Sequence, residues 1–253
     1  MTATASSPTE HQPELAGQIV VVIGGSSGIG LETARRARSE GAKVVLTGRD
    51  PARLEQAGNE LGALSTAAFD ATDLAQLEGF FHGLPDPIDH VMVTAGGSYY
   101  APLAEMDFEK ARRSFDEHLL LALQVARQSA SKVRPGGTLV FMTGTGARRP
   151  GIGLSIASIL SAGLPALTAN LALELAPVRA NLIAAGFVDT PLSASLLGHD
   201  LEQRRKQLRA VLPIRRVVEP ADVAALAVHL MTNTALTGAT YDVDGGEQLV
   251  SET

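Results

Sequence analysis

The 253-residue chain contains no cysteine and no tryptophan, and only 4% of its residues are aromatic. Without cysteine there are no disulfides, no thiolate metal sites and no cysteine nucleophile, and no metal site is expected. A zero count fits a reducing compartment. Residues 1–14 lack the basic start and apolar run of a signal peptide, so the expected location is cytoplasmic. Positive charge is also scarce: the formal net charge is −6, which argues against nucleic acid as a partner. One run, residues 150–173, carries no charge and is long enough to span a bilayer. It also holds Pro150, Pro165, Asn170 and several hydroxyls, so a buried or subunit-interface helix is expected and no membrane. Any chemistry needing a phenol has three candidates, Tyr99, Tyr100 and Tyr241, and any needing an amine has Lys43, Lys110, Lys132 and Lys206.

What is present is aliphatic and regular. Hydrophobic residues make up 45% of the chain, with 25 glycines and 13 prolines, enough for one α/β domain with a sizeable core. Short β-branched runs alternate with longer Ala/Leu/Arg-rich stretches of helical spacing. Strands are predicted over 18–23, 43–47, 65–69, 89–94, 138–143, 181–185 and 239–243. Helices are predicted over 30–39, 51–62, 74–81, 108–132, 154–175, 201–211 and 221–231, with a kink at Pro165. Such alternation implies right-handed crossovers and one doubly wound parallel sheet covered on both faces. Residues 1–14 are expected to be a disordered tail and 15–253 a single domain.

The first strand runs into Gly24-Gly25-Ser26-Ser27-Gly28-Ile29-Gly30 and then a helix. Gly24 permits a sharp turn, Gly28 lets backbone approach a pyrophosphate, and Gly30 lets helix pack against strand. The helix N-terminus adds unpaired N–H groups and partial positive charge. Between the first strand and first helix of an alternating chain, these glycines mark a dinucleotide site. At the end of the second strand, where a carboxylate would bind the ribose of NAD, stand Gly48 and Arg49. A guanidinium there matches a 2′-phosphate, so NADP(H) is favoured over NAD(H).

The run GGSSGIG resembles the TGxxxGxG fingerprint of short-chain dehydrogenases/reductases, with Ile23 in place of Thr. Val93-Thr94-Ala95-Gly96 resembles the family's NNAG segment with both Asn replaced, and Ala185-Gly186-Phe187-Val188-Asp189-Thr190 resembles PGxxxT with Ala for Pro. Residues 216–224 and 237–246 resemble the family's C-terminal segments. The resemblance implies a Rossmann domain, a homodimer or homotetramer, and oxidoreductase activity on a small-molecule substrate. It also implies cofactor contacts from Ser26, Ser27, Ile29, Ala95, Gly96 and Val188, from Asp70 to the adenine amino group, and from Thr190 to the nicotinamide carboxamide.

The same resemblance implies an Asn, a Ser and a Tyr–Lys pair four residues apart. No Tyr in this chain is followed four residues later by Lys. Alignment on residues 169–177 places His118 in the Asn slot, Gly144 in the Ser slot, Ala157 in the Tyr slot and Ser161 in the Lys slot. His118 is one candidate proton donor, because imidazole titrates near neutrality. Tyr100, just past the second glycine-rich turn, is another. Ser158, Thr143 and Thr145 would serve only through a shift of register. The expected function is therefore an NADP(H)-binding oxidoreductase with a non-standard proton donor, acting on a carbonyl or an activated substrate such as a quinone or imine. The alternative is a catalytically inactive pseudoenzyme serving as sensor or partner subunit.

Overall fold

β1 (Ile19–Ile23, IVVVI) contains only valine and isoleucine, and its last four residues are fully buried. A strand with no polar face needs cover on both sides, and this requirement sets the architecture. The structure is a computed structural model that describes residues 13–97 and 99–250. Seven parallel strands form one sheet in the order β3-β2-β1-β4-β5-β6-β7. The others are β2 (Lys43–Gly48), β3 (Ser65–Ala68), β4 (Ile88–Val93), β5 (Val133–Gly144), β6 (Arg179–Ala185) and β7 (Thr240–Val243).

Alternation along the strands divides the core in two. Val21, Ile23 and Val91 point to one face, where they meet Leu77 and Phe81 of α3 (Leu74–Gly83), Leu121 and Val125 of α5 (Leu121–Ser129), and Ile156 and Leu164 of α6 (Ser155–Glu174). Val20, Val22 and Met92 point to the other, against Ala34 and Ala37 of α1 (Gly28–Ser39), Leu54 of α2 (Pro51–Leu61), and Val223 and Ala227 of α9 (Pro220–Thr232). Small alanines on α1 let it approach the sheet closely, and the scarcity of aromatics leaves Phe81 and Phe141 as the largest fully buried side chains. The sheet matches the doubly wound arrangement expected from the sequence.

Three elements depart from expectation. The helix predicted over 108–132 is divided into α4 (Phe108–Phe115) and α5 by one wide π turn, Asp116–Leu120. β5 begins at Val133, ahead of the predicted 138, and its register against β4 shifts between Ile88 and His90. Pro191 opens a short helix, α7 (Pro191–Leu197), ahead of α8 (Leu201–Val211). α6 continues as one element through Pro165. It is long and apolar enough to cross a membrane by length and hydropathy, with a third of its most apolar window buried. Of the expected tail, residues 1–12 lie outside the described residues; the Glu14 amide donates to the Glu40 carboxylate at 3.4 Å.

Candidate functional site

Strand order reverses between β1 and β4, and a cleft opens beyond their carboxyl ends, as expected where successive crossovers part to opposite sides. It encloses about 540 Å³. Gly24 has φ +97°, and a Cβ there would lie 2.7 Å from the Ala95 amide nitrogen. A Cβ on Gly30 would fall inside the Gly24 carbonyl and 2.5 Å from Thr94 Oγ1. Thr94 Oγ1 itself donates to the Gly24 carbonyl at 3.0 Å, fixing the loop to the end of β4. Ser27, the N-cap of α1, makes no side-chain capping bond. The amides of Gly28, Ile29 and Gly30 donate to no backbone carbonyl among the described residues. The start of α1 is thus an open anion-binding end, and the loop residues Gly24, Ser26 to Gly30 all line the cleft.

Across the cleft stand Arg49 and Asp70, from the ends of β2 and β3, with Ala95 and Gly96 after β4 and Thr190 after β6. Thr190 caps α7 through its hydroxyl, which accepts from the Ser193 amide at 3.2 Å. It sits over Gly28, where an added Cβ would meet it at 3.6 Å. Asp70 accepts from the Thr72 amide and hydroxyl and from Arg113. Burial pushes its pKa up, but these hydrogen bonds outweigh burial and hold it below the usual carboxylate range. Val188 does not line the cleft. It is buried and bridges to Val218, so its side chain supports the loop from behind.

Gly144 is the last residue of β5, and Ala157 and Ser161 lie one turn apart on α6; none of the three lines the cleft. The structure brings Gly144 and Ser161 together: the Ser161 hydroxyl donates to the Gly144 carbonyl at 2.9 Å. Ser158 is committed to the Ala147 carbonyl at 2.7 Å, and Thr145 is fully buried. His118 sits in the π turn with Nδ1 2.8 Å from the Ser114 carbonyl. A carbonyl only accepts, so Nδ1 donates to Ser114 and Nε2 is the nitrogen left outside that bond. Nε2 faces Gly96, where an added Cβ would lie 3.1 Å away. His118 lines neither cavity itself; its ring stands directly behind Gly96, which does line the cleft. Tyr100 is 53% exposed and lines neither cavity. The Tyr99 hydroxyl accepts from the Asp107 amide at 2.7 Å, anchoring the loop before α4.

A second cavity of about 380 Å³ lies between the β5–α6 loop and α8, with Leu154, Leu208 and Val211 as its apolar lining and Arg149, Arg204 and Glu247 at its rim. Arg204 donates to Glu247 at 2.9 Å, and Arg149 to the carbonyls of Gln248 and Val250. Arg148 forks onto Asp242 at 2.5 and 2.8 Å, so neither Arg148 nor Arg149 is unpartnered. No group of three His, Asp or Glu among the described residues could hold a metal ion.

A family model described as Enoyl-(Acyl carrier protein) reductase matches residues 23–248. The chain belongs to the short-chain dehydrogenase/reductase family. It is 30% identical to the short-chain dehydrogenase/reductase ATR9 of Stachybotrys chlorohalonatus, over 92% of this chain and 98% of that one. The structure of MalC reductase/Diels-Alderase from Malbranchea aurantiaca superposes with a TM-score of 0.87 at 25% identity, covering 94% of this chain and 99% of that one. A small-chain dehydrogenase in complex with NADPH superposes at 0.80 and 27% identity, covering 92% and 100%. As a short-chain dehydrogenase/reductase, the chain retains the glycine loop and the sheet. Sequence reasoning missed Glu117, which reaches the cleft beside Arg49. The available signal was the Arg113–Glu117 spacing of four, which joins two side chains on one helix face.

Proposed function

We propose that this chain is an NADP(H)-dependent oxidoreductase whose proton transfer uses His118 in place of a tyrosine–lysine pair. The observation that carries the reading is the open, uncapped start of α1 in a cleft with the Arg49 guanidinium at its edge. The loop suits a pyrophosphate because its uncapped amides face the cleft, while the lack of a Cβ at Gly24 and Gly30 lets the loop pack tightly on Thr94 and Ala95 behind them. The amides of Gly28 to Gly30 would hold the phosphates, Arg49 a 2′-phosphate, Asp70 the adenine and Thr190 the carboxamide. The bound dinucleotide supplies the hydride. What the chain adds is orientation and a place for the proton: His118 Nδ1 is fixed by the Ser114 carbonyl, leaving Nε2 behind Gly96 as the ionisable nitrogen nearest that part of the wall, to exchange its proton past Gly96.

Gly144, Ala157 and Ser161 offer no ionisable group, so the substrate needs little help in polarising its reacting bond. Small carbonyls conjugated to an acceptor, quinones and imines meet that requirement, and the cavity beside Leu154 and Leu208 has the size for them. Oxidation of an unactivated alcohol does not. The same three residues favour a second reading, a dinucleotide-binding pseudoenzyme without turnover. NADPH consumption with a panel of quinones, ketones and imines separates the two. Turnover is expected, falling about 100-fold in His118→Ala, within the usual range for a general acid–base group, and within twofold of wild type in Tyr100→Phe. No turnover with any substrate favours the pseudoenzyme, and turnover unchanged in His118→Ala removes the proposed donor.

We read the protein as a cytoplasmic homodimer or homotetramer. Leu120 in the π turn, Leu123 on α5 and Ile159 on α6 are each about half exposed. α6 packs beside the π turn, so these free apolar side chains suit a subunit interface better than lipid, given Pro165 and Asn170 on α6.

A further inference from the structure

Four charges of alternating sign cross one end of the cleft, and they come from four places in the chain. Arg49 follows β2, Asp70 follows β3, Arg113 lies in the last turn of α4 and Glu117 in the π turn. Arg113 binds in two directions: Nη2 donates to Asp70 Oδ2 at 3.0 Å and Nε to Glu117 Oε1 at 2.8 Å. The other Glu117 oxygen accepts from the Gly97 amide at 3.0 Å. Arg49 Nη1 stands 3.9 Å from Glu117 Oε1, too far for a hydrogen bond and close enough for charge attraction.

These contacts are unequal. The Glu117 side chain is 13% exposed and fully engaged without Arg49, whereas the Arg49 side chain is 67% exposed and held by charge alone. The carboxylate is the fixed member and the guanidinium the movable one. Wide π turns place one extra residue in a helix and rotate the side chains beyond it. Here the turn carries Glu117 to the amide of Gly97 and its neighbour His118 to Gly96.

We propose that Glu117 is a specificity-determining residue that competes with a cofactor 2′-phosphate for the Arg49 guanidinium and so limits the preference for NADP(H) over NAD(H). This rests on the reading of Arg49 as the phosphate ligand. With an unphosphorylated ribose, Arg49 keeps its contact with Glu117 and nothing is lost. With a 2′-phosphate, Arg49 turns to the dianion, and the fixed carboxylate it leaves behind opposes that dianion. Arg113 moderates the opposition, because it hydrogen-bonds the same Glu117 oxygen that Arg49 faces and partly neutralises it.

Two substitutions should therefore move the preference in opposite directions. Glu117→Gln keeps an amide oxygen for the Gly97 N–H and removes the charge. The NADPH dissociation constant should fall about fivefold while that of NADH stays within twofold, the size expected for one partly screened charge at short range. Arg113→Met leaves Glu117 without its nearest cation, so NADPH should weaken about threefold more than NADH. Any effect of Arg113 on the adenine through Asp70 is common to both cofactors and cancels in the ratio. Arg113 is half exposed, so its loss opens no core.

The readout is the ratio of the two dissociation constants from fluorescence titrations of the full chain, with thermal melts confirming that each variant is folded. Opposed shifts support the proposal, and if one variant does not fold, the sign of the other decides. A ratio unchanged in the folded variants, or shifted oppositely to these signs, overturns it. Arg49→Gln separates the role of Glu117 from that of Arg49. If it lowers the NADPH preference while the Glu117 and Arg113 variants do not move it, this inference alone fails. If Arg49→Gln leaves the ratio unchanged, the phosphate reading fails and takes the inference with it.

Discussion

His90 shows how much one side chain can contribute away from the cleft. It is buried in β4 near the amino ends of the strands, with Nε2 2.7 Å from the Gln18 side-chain oxygen and Nδ1 without a partner. Burial pushes its pKa down to about 3, against an ordinary value near 6.5. Between those values the unfolded chain holds the extra proton. The stability that goes with a neutral His90 is therefore complete above about pH 6.5 and is lost as pH falls toward 3. Urea unfolding at pH 7 and pH 5 should show wild type losing about 2 kcal/mol more than His90→Gln over that interval. Equal losses in the two proteins would assign the acid sensitivity to other groups. At this scale the sequence was readable where backbone geometry dictates the residue, as at Gly24 and Gly30. It was not readable at Arg113 and Glu117, which look like any exposed helical ion pair until the fold brings Gly97, Asp70 and Arg49 beside them. Val188 shows a further limit: its place in a recognisable segment does not reveal that its side chain turns into the core.

Elements were legible to within a residue or two wherever one periodicity held without interruption. β1, β2 and β3 fall almost where the apolar runs place them. The π turn was hidden because an extra residue in a helix changes the phase of the pattern without breaking it. α7 carries its own start signal, Thr190-Pro191 with Ser193 completing a capping box, but it is too short to show a helical period. The next helix, α8, is held by few contacts. Arg205 of α8 forks onto Asp189 with both bonds at 2.8 Å, and Arg204 reaches Glu247. These pairs are about a quarter exposed, so each contributes little to global stability but much to where α8 rests. Asp189→Asn should speed amide exchange across residues 201–211 about tenfold while lowering the melting temperature by no more than about 3 °C, as expected for a local opening. Uniform acceleration across the sheet would mean that the pair supports the whole domain instead.

For the whole molecule, seven parallel strands, a reversal of order between β1 and β4, and a glycine cradle at that reversal arise from one sequence pattern of alternating strands and helices. That pattern is why the fold and the glycine loop at the cleft were legible together. The positions of His118, Gly144, Ala157 and Ser161 were legible only as a set of substitutions, because side-chain placement around them is encoded by no periodicity. The absence of a tyrosine–lysine pair separates binding from chemistry in this chain, so binding is the claim on which everything else depends. Calorimetric titration of the full chain with NADPH and with NADH, alongside Gly30→Ala, tests it most directly. Saturable binding at one site per chain is expected, tighter for NADPH than for NADH, and lost in a folded Gly30→Ala, whose Cβ would push the Gly24 carbonyl and Thr94 aside and displace the loop. No binding of either cofactor, tighter binding of NADH, or full affinity in Gly30→Ala would contradict it.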